Sequence, residues 1–295
     1  MYNLRFINNF YYKFLGLGTL LILSLVGSYF FYRHNHPKYI PLPPRPEITL
    51  TIIPGWDLRD VAEYLVAQKL ASSTADVYAL TGEPAKLIKD GTKKYDLLWP
   101  NREIGIDIWS VKPDNQNYEG YLGPETVRVF QGSSVKEILS KFLFERAKQI
   151  DIQLPSEFPE LNVKNMNWHE ILTMASILER EVRNLEDKKL VADIFWRRLK
   201  KNWALQADST VHYAVGKEGN VFTTNEDRQT DSLWNTYKYP GLPPGPICNP
   251  GLESIQAALY PEANNYWYFL TDKNGAVHYA KTLEEQNSNK YKYLK

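Results

Sequence analysis

Residues 14–31 read FLGLGTLLILSLVGSYFF, without one Asp, Glu, Lys or Arg. At ~1.5 Å per residue a helix over this run is about 27 Å long, close to the hydrocarbon thickness of a bilayer. Tyr11, Tyr12 and Lys13 flank one side, and Tyr29, Tyr32, Arg33 and Lys38 the other. Amphipathic rings and cations belong at a lipid–water interface, where His34 and His36 would also lie. A secretory signal has a shorter apolar core and a small-residue cleavage site, and FYRHNHPKYIPLPPRP contains none. The run therefore predicts an uncleaved, single-pass transmembrane helix at 14–32 after a tail at 1–13. Arg5, Lys13 and the terminal amine compete with Arg33 and Lys38, so charge leaves the orientation open.

Behind this run the chain has the makings of a packed core. Of its 295 residues 43% are hydrophobic and 14% aromatic, which excludes a disordered chain, a collagen-like repeat and a coiled-coil rod. The formal charge of +1 lacks the basic excess of a sequence-independent nucleic-acid binder, and no nucleic-acid partner is expected. Cys248 is the sole cysteine, so neither an internal disulfide nor a Cys-based zinc cluster can form. The five histidines show no HExxH or other paired-ligand spacing, and no metal or cofactor is expected. A G-x-S-x-G elbow and a phosphate loop are also missing, and Cys248 between prolines reads as a packed small residue.

Five prolines between 37 and 46 predict an extended spacer, with a linker at 33–46. Residues 47–53 alternate as a strand, Pro54-Gly55 marks a turn, and Asp57 is placed to cap a helix carrying Leu58, Val61, Ala62 and Leu65. Residues 104–111 are strand-like, VRVF precedes a helix-like SSVKEILSKFLFERAKQI, and 151–166 read as a loop broken by Pro155 and Pro159. A second helix is expected at 186–201. From Gln206 onward Gly, Pro, Asn and aromatics predict a loop-dominated cleft wall, suited to sugar rings and hydroxyls. A hairpin follows, with strands at 267–271 and 276–280 around Asn274-Gly275.

The helix starting at Trp168 poses a physical question. Ile171, Leu172, Met174, Ala175, Leu178 and Val182 form one apolar face, and Glu179 falls inside it. A carboxylate there is costly unless it is paired, protonated or at a cleft. One reading is a salt bridge, with Arg183, Arg197 or Arg198 as partner. The other is an acid whose burial disfavours the charged form, leaving a proton to donate to a leaving oxygen. Spacing alone does not choose between them.

Five strings in order resemble one family. EGYLGPET at 119–126 is similar to EGxxxPxT, MASILERE at 174–181 to ASIxExE, and VADIFWRRL at 191–199 to VAxVFxNRL. LQADSTVHY at 205–213 is similar to LQTDPTVxY, and NTY…GLPPGPICNPG at 235–251 to NTYxxxGLPPGPIxNPG. The chain resembles the endolytic murein transglycosylases, the YceG-like membrane-anchored lytic transglycosylases. The resemblance implies an α+β fold: the single N-terminal transmembrane helix, a small LysM-like α+β subdomain at 47–117, and a mixed α+β catalytic domain at 118–295 with a central helix bearing the catalytic Glu179.

It further implies that Glu179 protonates the glycosidic oxygen between N-acetylmuramic acid and N-acetylglucosamine. Glu179 then takes the proton of the muramoyl 6-hydroxyl, which closes to a 1,6-anhydro end. The implied substrate-binding residues are Gln206, Asp208, Thr210, Asn235, Tyr237, Glu125 and Glu181, with Glu181 also able to orient Glu179. Asp208 and Thr210 could equally form a turn or helix cap. The implied partners are peptidoglycan glycan strands and peptidoglycan synthases. The implied location is the bacterial inner membrane, N-terminus cytoplasmic and catalytic domain outside. A catalytically silent, wall-binding scaffold is the alternative. Ala207, Ser209, Arg197 and Gly123 depart from the family strings.

Overall fold

Alternation in EITLT buries Leu50 and half-buries Ile48, and β1 (Glu47–Thr51) needs a partner for its backbone. It finds one far along the chain: β2 (Thr126–Phe130) pairs antiparallel, Glu47 opposite Phe130 and Thr51 opposite Thr126. The segments at 47–117 and 118–295 thus share a sheet, and residues Pro46–Lys295 cluster as one unit, with Met1–Arg45 as another. The computed structural model describes residues 4–36, 44–87, 112–153, 167–216 and 223–294. The strand-like 104–111, residues 37–43 of the linker and residues 154–166 of the expected loop lie outside them.

The first unit holds α1 (Leu4–Asn35). The transmembrane assignment and the single-pass membrane location are corrected here: among the described residues, no helix is long and apolar enough to cross a membrane. The apolar run of α1 ends at Phe31. Tyr32, Arg33, His34 and Asn35 follow at once.

In the second unit, α2 (Leu58–Ala67) starts as its sequence predicts. Asp57 accepts from the Arg59 and Asp60 amides, and Asp60 returns a bond from the Asp57 amide at 2.8 Å. Then come α3 (Thr74–Thr81), α4 (Val135–Gln153), α5 (Trp168–Glu181) and α6 (Leu185–Lys200). The helix α4 extends into the first residues of the expected 151–166 loop. The region from Gln206 is less loop-like than composition implies. It holds α7 (Asp208–Val215), α8 (Asn225–Arg228) and α9 (Leu252–Leu259), then the hairpin β3 (Tyr268–Thr271) and β4 (Val277–Ala280), and α10 (Leu283–Tyr293).

The centre of this unit is α5, buried without a break from Ile171 to Leu178 and packed on α9, α6 and α7. Asn167 caps it through the Glu170 amide, and Glu170 returns the bond. Gly123 departs from the family string for a local reason. A Cβ there would stand 2.5 Å from the Arg146 backbone nitrogen in α4, so a side chain cannot enter without moving that helix.

One buried carboxyl joins three segments. Glu119 is fully buried; its Oε2 accepts from the Leu58 amide (3.1 Å) and the Tyr213 hydroxyl (3.0 Å), and its Oε1 has no partner. Desolvation, reinforced by Asp57, raises its pKa to about 8. The unfolded carboxyl ionises near 4.5, so between these values the folded state binds more protons. Stability from this group is therefore lost as pH rises through that window. Glu119→Gln should gain on the wild type from pH 5 to 8.5, by on the order of a few kcal/mol, in denaturant melts. Parallel pH curves would overturn this.

Candidate active site

The last turn of α5 carries Glu179 and Glu181 at the helix's negative end, where carboxylates are disfavoured. For Glu179 the compensation is a second helix. The N-terminus of α9 points its free donors at the side chain: the Gly251 amide donates to Oε2 at 2.9 Å and the Ser254 hydroxyl at 2.6 Å. Lys188 of α6 stands 3.5 Å from Oε1. Its side chain is only 4% exposed and that of Glu179 13%, so this pair lies at the edge of water.

The expected arginine partners are not the ones used. Arg197 bonds Asp193 at 2.8 Å, and Arg198 donates to the carbonyls of Leu205 and Trp267. Lys188 was missed because it faces Glu179 only once the 182–184 link folds α6 back on α5. The spacing of basic residues past the Glu was the available signal.

The proline-rich loop reaches the site by being fastened along α5. His169 binds the Pro244 carbonyl at 2.7 Å and the Tyr121 hydroxyl at 2.8 Å, and Ser176 accepts the Ile247 amide at 2.9 Å. Cys248 is fully buried, with its thiol against the Ser176 carbonyl, and burial pushes its pKa up, which suits packing and not attack. Asn249 then gathers three segments. Its amide and side chain donate to the Trp56 carbonyl, its carbonyl accepts the Gly55 amide, and its Oδ1 accepts the Leu122 amide.

Beneath, fully buried Arg146 donates to the Pro250 carbonyl at 2.7 Å and the Leu122 carbonyl at 3.2 Å; burial lowers its pKa to about 9. Arg180 bonds the Gly55 carbonyl and faces Asp57 at 3.5 Å, which holds the Pro54-Gly55 turn over the site. Gly55 has φ +89°, and a Cβ built on it would lie 3.9 Å from Glu179 Cγ. Asn249, Arg146 and Ser254 are positioning groups that reading the sequence did not single out.

The remaining expected site residues divide into two groups. Asp208 opens α7, half-buried, and accepts from the Tyr237 hydroxyl (2.8 Å) and Arg228 (3.3 Å), forming one polar wall. Gln206 is exposed beside it, and its amide donates to the Thr236 carbonyl. Glu181 accepts from the Ser209 hydroxyl at 2.7 Å and the Ser209 amide at 3.3 Å, tying α7 to α5; desolvation raises its pKa. Ser209, a departure from the family string, is thus used structurally.

Thr210 and Asn235 are fully buried. Thr210 donates to the Ala207 carbonyl, and Asn235 donates to the Arg228 and Thr230 carbonyls, so both shape the wall from behind. Glu125 is exposed at the start of β2, where it accepts its neighbour's amide, with no bond to the Glu179 group. Among the described residues, no group of three His, Cys, Asp or Glu is arranged to hold a metal ion.

These elements define an α+β protein in which the Glu179 carboxylate is held, partly exposed, where α5, α6 and α9 meet. Residues 35–292 match the YceG-like family, and the chain belongs to it. An endolytic murein transglycosylase of Bacillus subtilis (strain 168) is 40% identical over 176 residues, 60% of this chain and 48% of that protein. One of Streptococcus pneumoniae serotype 2 is 30% identical over 251 residues, 82% of this chain and 44% of that protein. The chain spans about half the length of these curated relatives. A crystal structure of a yceG-like protein from Listeria monocytogenes, 35% identical, superposes with a TM-score of 0.61 over 81% of this chain and 74% of that one.

Proposed function

We propose that the chain is a lytic transglycosylase that cuts peptidoglycan glycan strands internally, with Glu179 as its proton-transfer group. The observation that carries this reading is the three-donor cradle around one carboxyl at the edge of water. A carboxyl acting as acid becomes a carboxylate as the glycosidic bond breaks, and donors already aimed at it stabilise that charge without reorganising.

Glu179 gives its proton to the bridging oxygen of the N-acetylmuramic acid–N-acetylglucosamine bond, and the bond from C1 to that oxygen breaks. The muramoyl 6-hydroxyl oxygen bonds to C1 and its proton returns to Glu179. The products are a 1,6-anhydro end and a free 4-hydroxyl, and no water is consumed. The attacking oxygen belongs to the substrate, so a second carboxylate of the kind most glycosidases use is unnecessary. Asp208, Tyr237, Gln206 and Glu181 line or brace the wall against which the strand lies. An internal cut separates a growing strand from its synthase and so ends its elongation.

Mass analysis of strands incubated with the purified chain tests the proposal. Anhydro ends, one water lighter than reducing ends, are the expected product. Reducing ends would make the chain a hydrolase, and intact strands that remain bound would make it a wall-binding scaffold.

A further inference from the structure

The link between α6 and α7 holds two non-glycine residues in the left-handed region, Asn202 at φ 54° and Gln206 at φ 55°. Backbone of this kind persists where surrounding bonds over-determine it, and it gathers at ligand sites. The bonds are present: the Trp203 amide donates to the Arg198 carbonyl at 2.8 Å, Arg198 Nη1 to the Leu205 carbonyl at 2.7 Å, and the Gln206 amide to the Thr236 carbonyl at 3.2 Å.

What this fastened link holds out is an indole. Trp203 is 45% exposed, edge-to-face with Trp267 at 5.2 Å and 6.3 Å from Tyr268. The Arg197 guanidinium lies 4.5 Å from the centre of Trp267, and Arg198 Nε donates to the Trp267 carbonyl at 3.1 Å, so the backing ring is braced. Lys200, Lys201, Asn202 and Gln206, within three positions of it in the chain, are exposed. A flat apolar face inside a hydrogen-bonding rim matches a pyranose, whose C–H faces are apolar and whose edge is hydroxyl.

The patch also continues the candidate site. Gln206 lies in the same link and Asp208 opens the helix that follows it, and the β3 residue Thr271 donates to the Glu181 carbonyl at 3.3 Å, beside the Glu181–Ser209 bond. We propose that Trp203, backed by Trp267 and Tyr268, is a distal saccharide subsite that stacks a sugar ring of the strand away from the bond being cut. The choice of ligand rests on the glycan-cleaving reading above.

Calorimetric titration of the full chain carrying Glu179→Gln, with chitotriose and chitohexaose as probes, tests the subsite. The hexaose should bind about tenfold tighter than the triose, the loss typical of one removed ring stack. Adding Trp203→Ala should erase that advantage and leave triose affinity unchanged, whereas Trp203→Tyr should keep most of it. An unchanged hexaose-to-triose ratio in the alanine variant, no length preference in its parent, or the same loss in the tyrosine variant would overturn the subsite. Should the wild type make no anhydro product yet show the Trp203-dependent preference, the cleavage reading fails and the subsite stands.

Discussion

Glu179→Gln should lower the release of anhydro-ended fragments by roughly 10³-fold or more, the range expected when the group that moves the proton is removed. Glutamine has nearly the same shape and its oxygen can still accept from the Gly251 amide and Ser254 hydroxyl, so the junction of α5 and α9 should hold. Thermal stability and strand binding are therefore expected to stay near wild type while turnover disappears. A variant that still cuts at more than a tenth of the wild-type rate would remove Glu179 from the mechanism. One that unfolds would leave Glu179→Asp as the separating measurement, because a carboxyl drawn back by one methylene keeps its charge and loses its reach.

Lys188→Met is expected to have the next largest effect. The methionine fills the aliphatic space of a side chain that is 4% exposed and removes the cation 3.5 Å from Oε1. In the first step the carboxylate would then form with one of its three stabilising donors gone, a loss worth about 10²-fold in kcat with KM little changed. Lys188→Arg should restore most of the rate. A loss carried by KM alone, or a rate that Lys188→Arg fails to restore, would reduce Lys188 to a packing residue.

Much of this arrangement is legible in the linear chain because the relevant physics is local. The apolar period of α5 and the capping pattern at Asp57 each depend on residues within a few positions, as does the Asn274-Gly275 turn of the hairpin, and each forms as expected. The short helices α7 and α9 are different. Segments of eight residues amid Gly, Pro and Asn are marginal helices alone and owe their existence to packing. Reading them as loops hid Ser254 and the Gly251 amide, which matter only because a helix N-terminus points both at Glu179. The membrane-spanning reading of residues 14–32 rested on the hydropathy and flanks of that run, and among the described residues no helix is long and apolar enough to cross a membrane.

By itself the sequence determined the family strings, the helix that carries Glu179 and the anomaly of a carboxyl on an apolar face. Only the tertiary structure decided what resolves that anomaly. The partner of Glu179 is not the arginine at helical spacing but Lys188 from the next helix, together with the end of a helix more than seventy residues away. The reason is physical: periodicity reports which face of a helix is buried, whereas the charge and donors meeting that face depend on how distant segments close upon it.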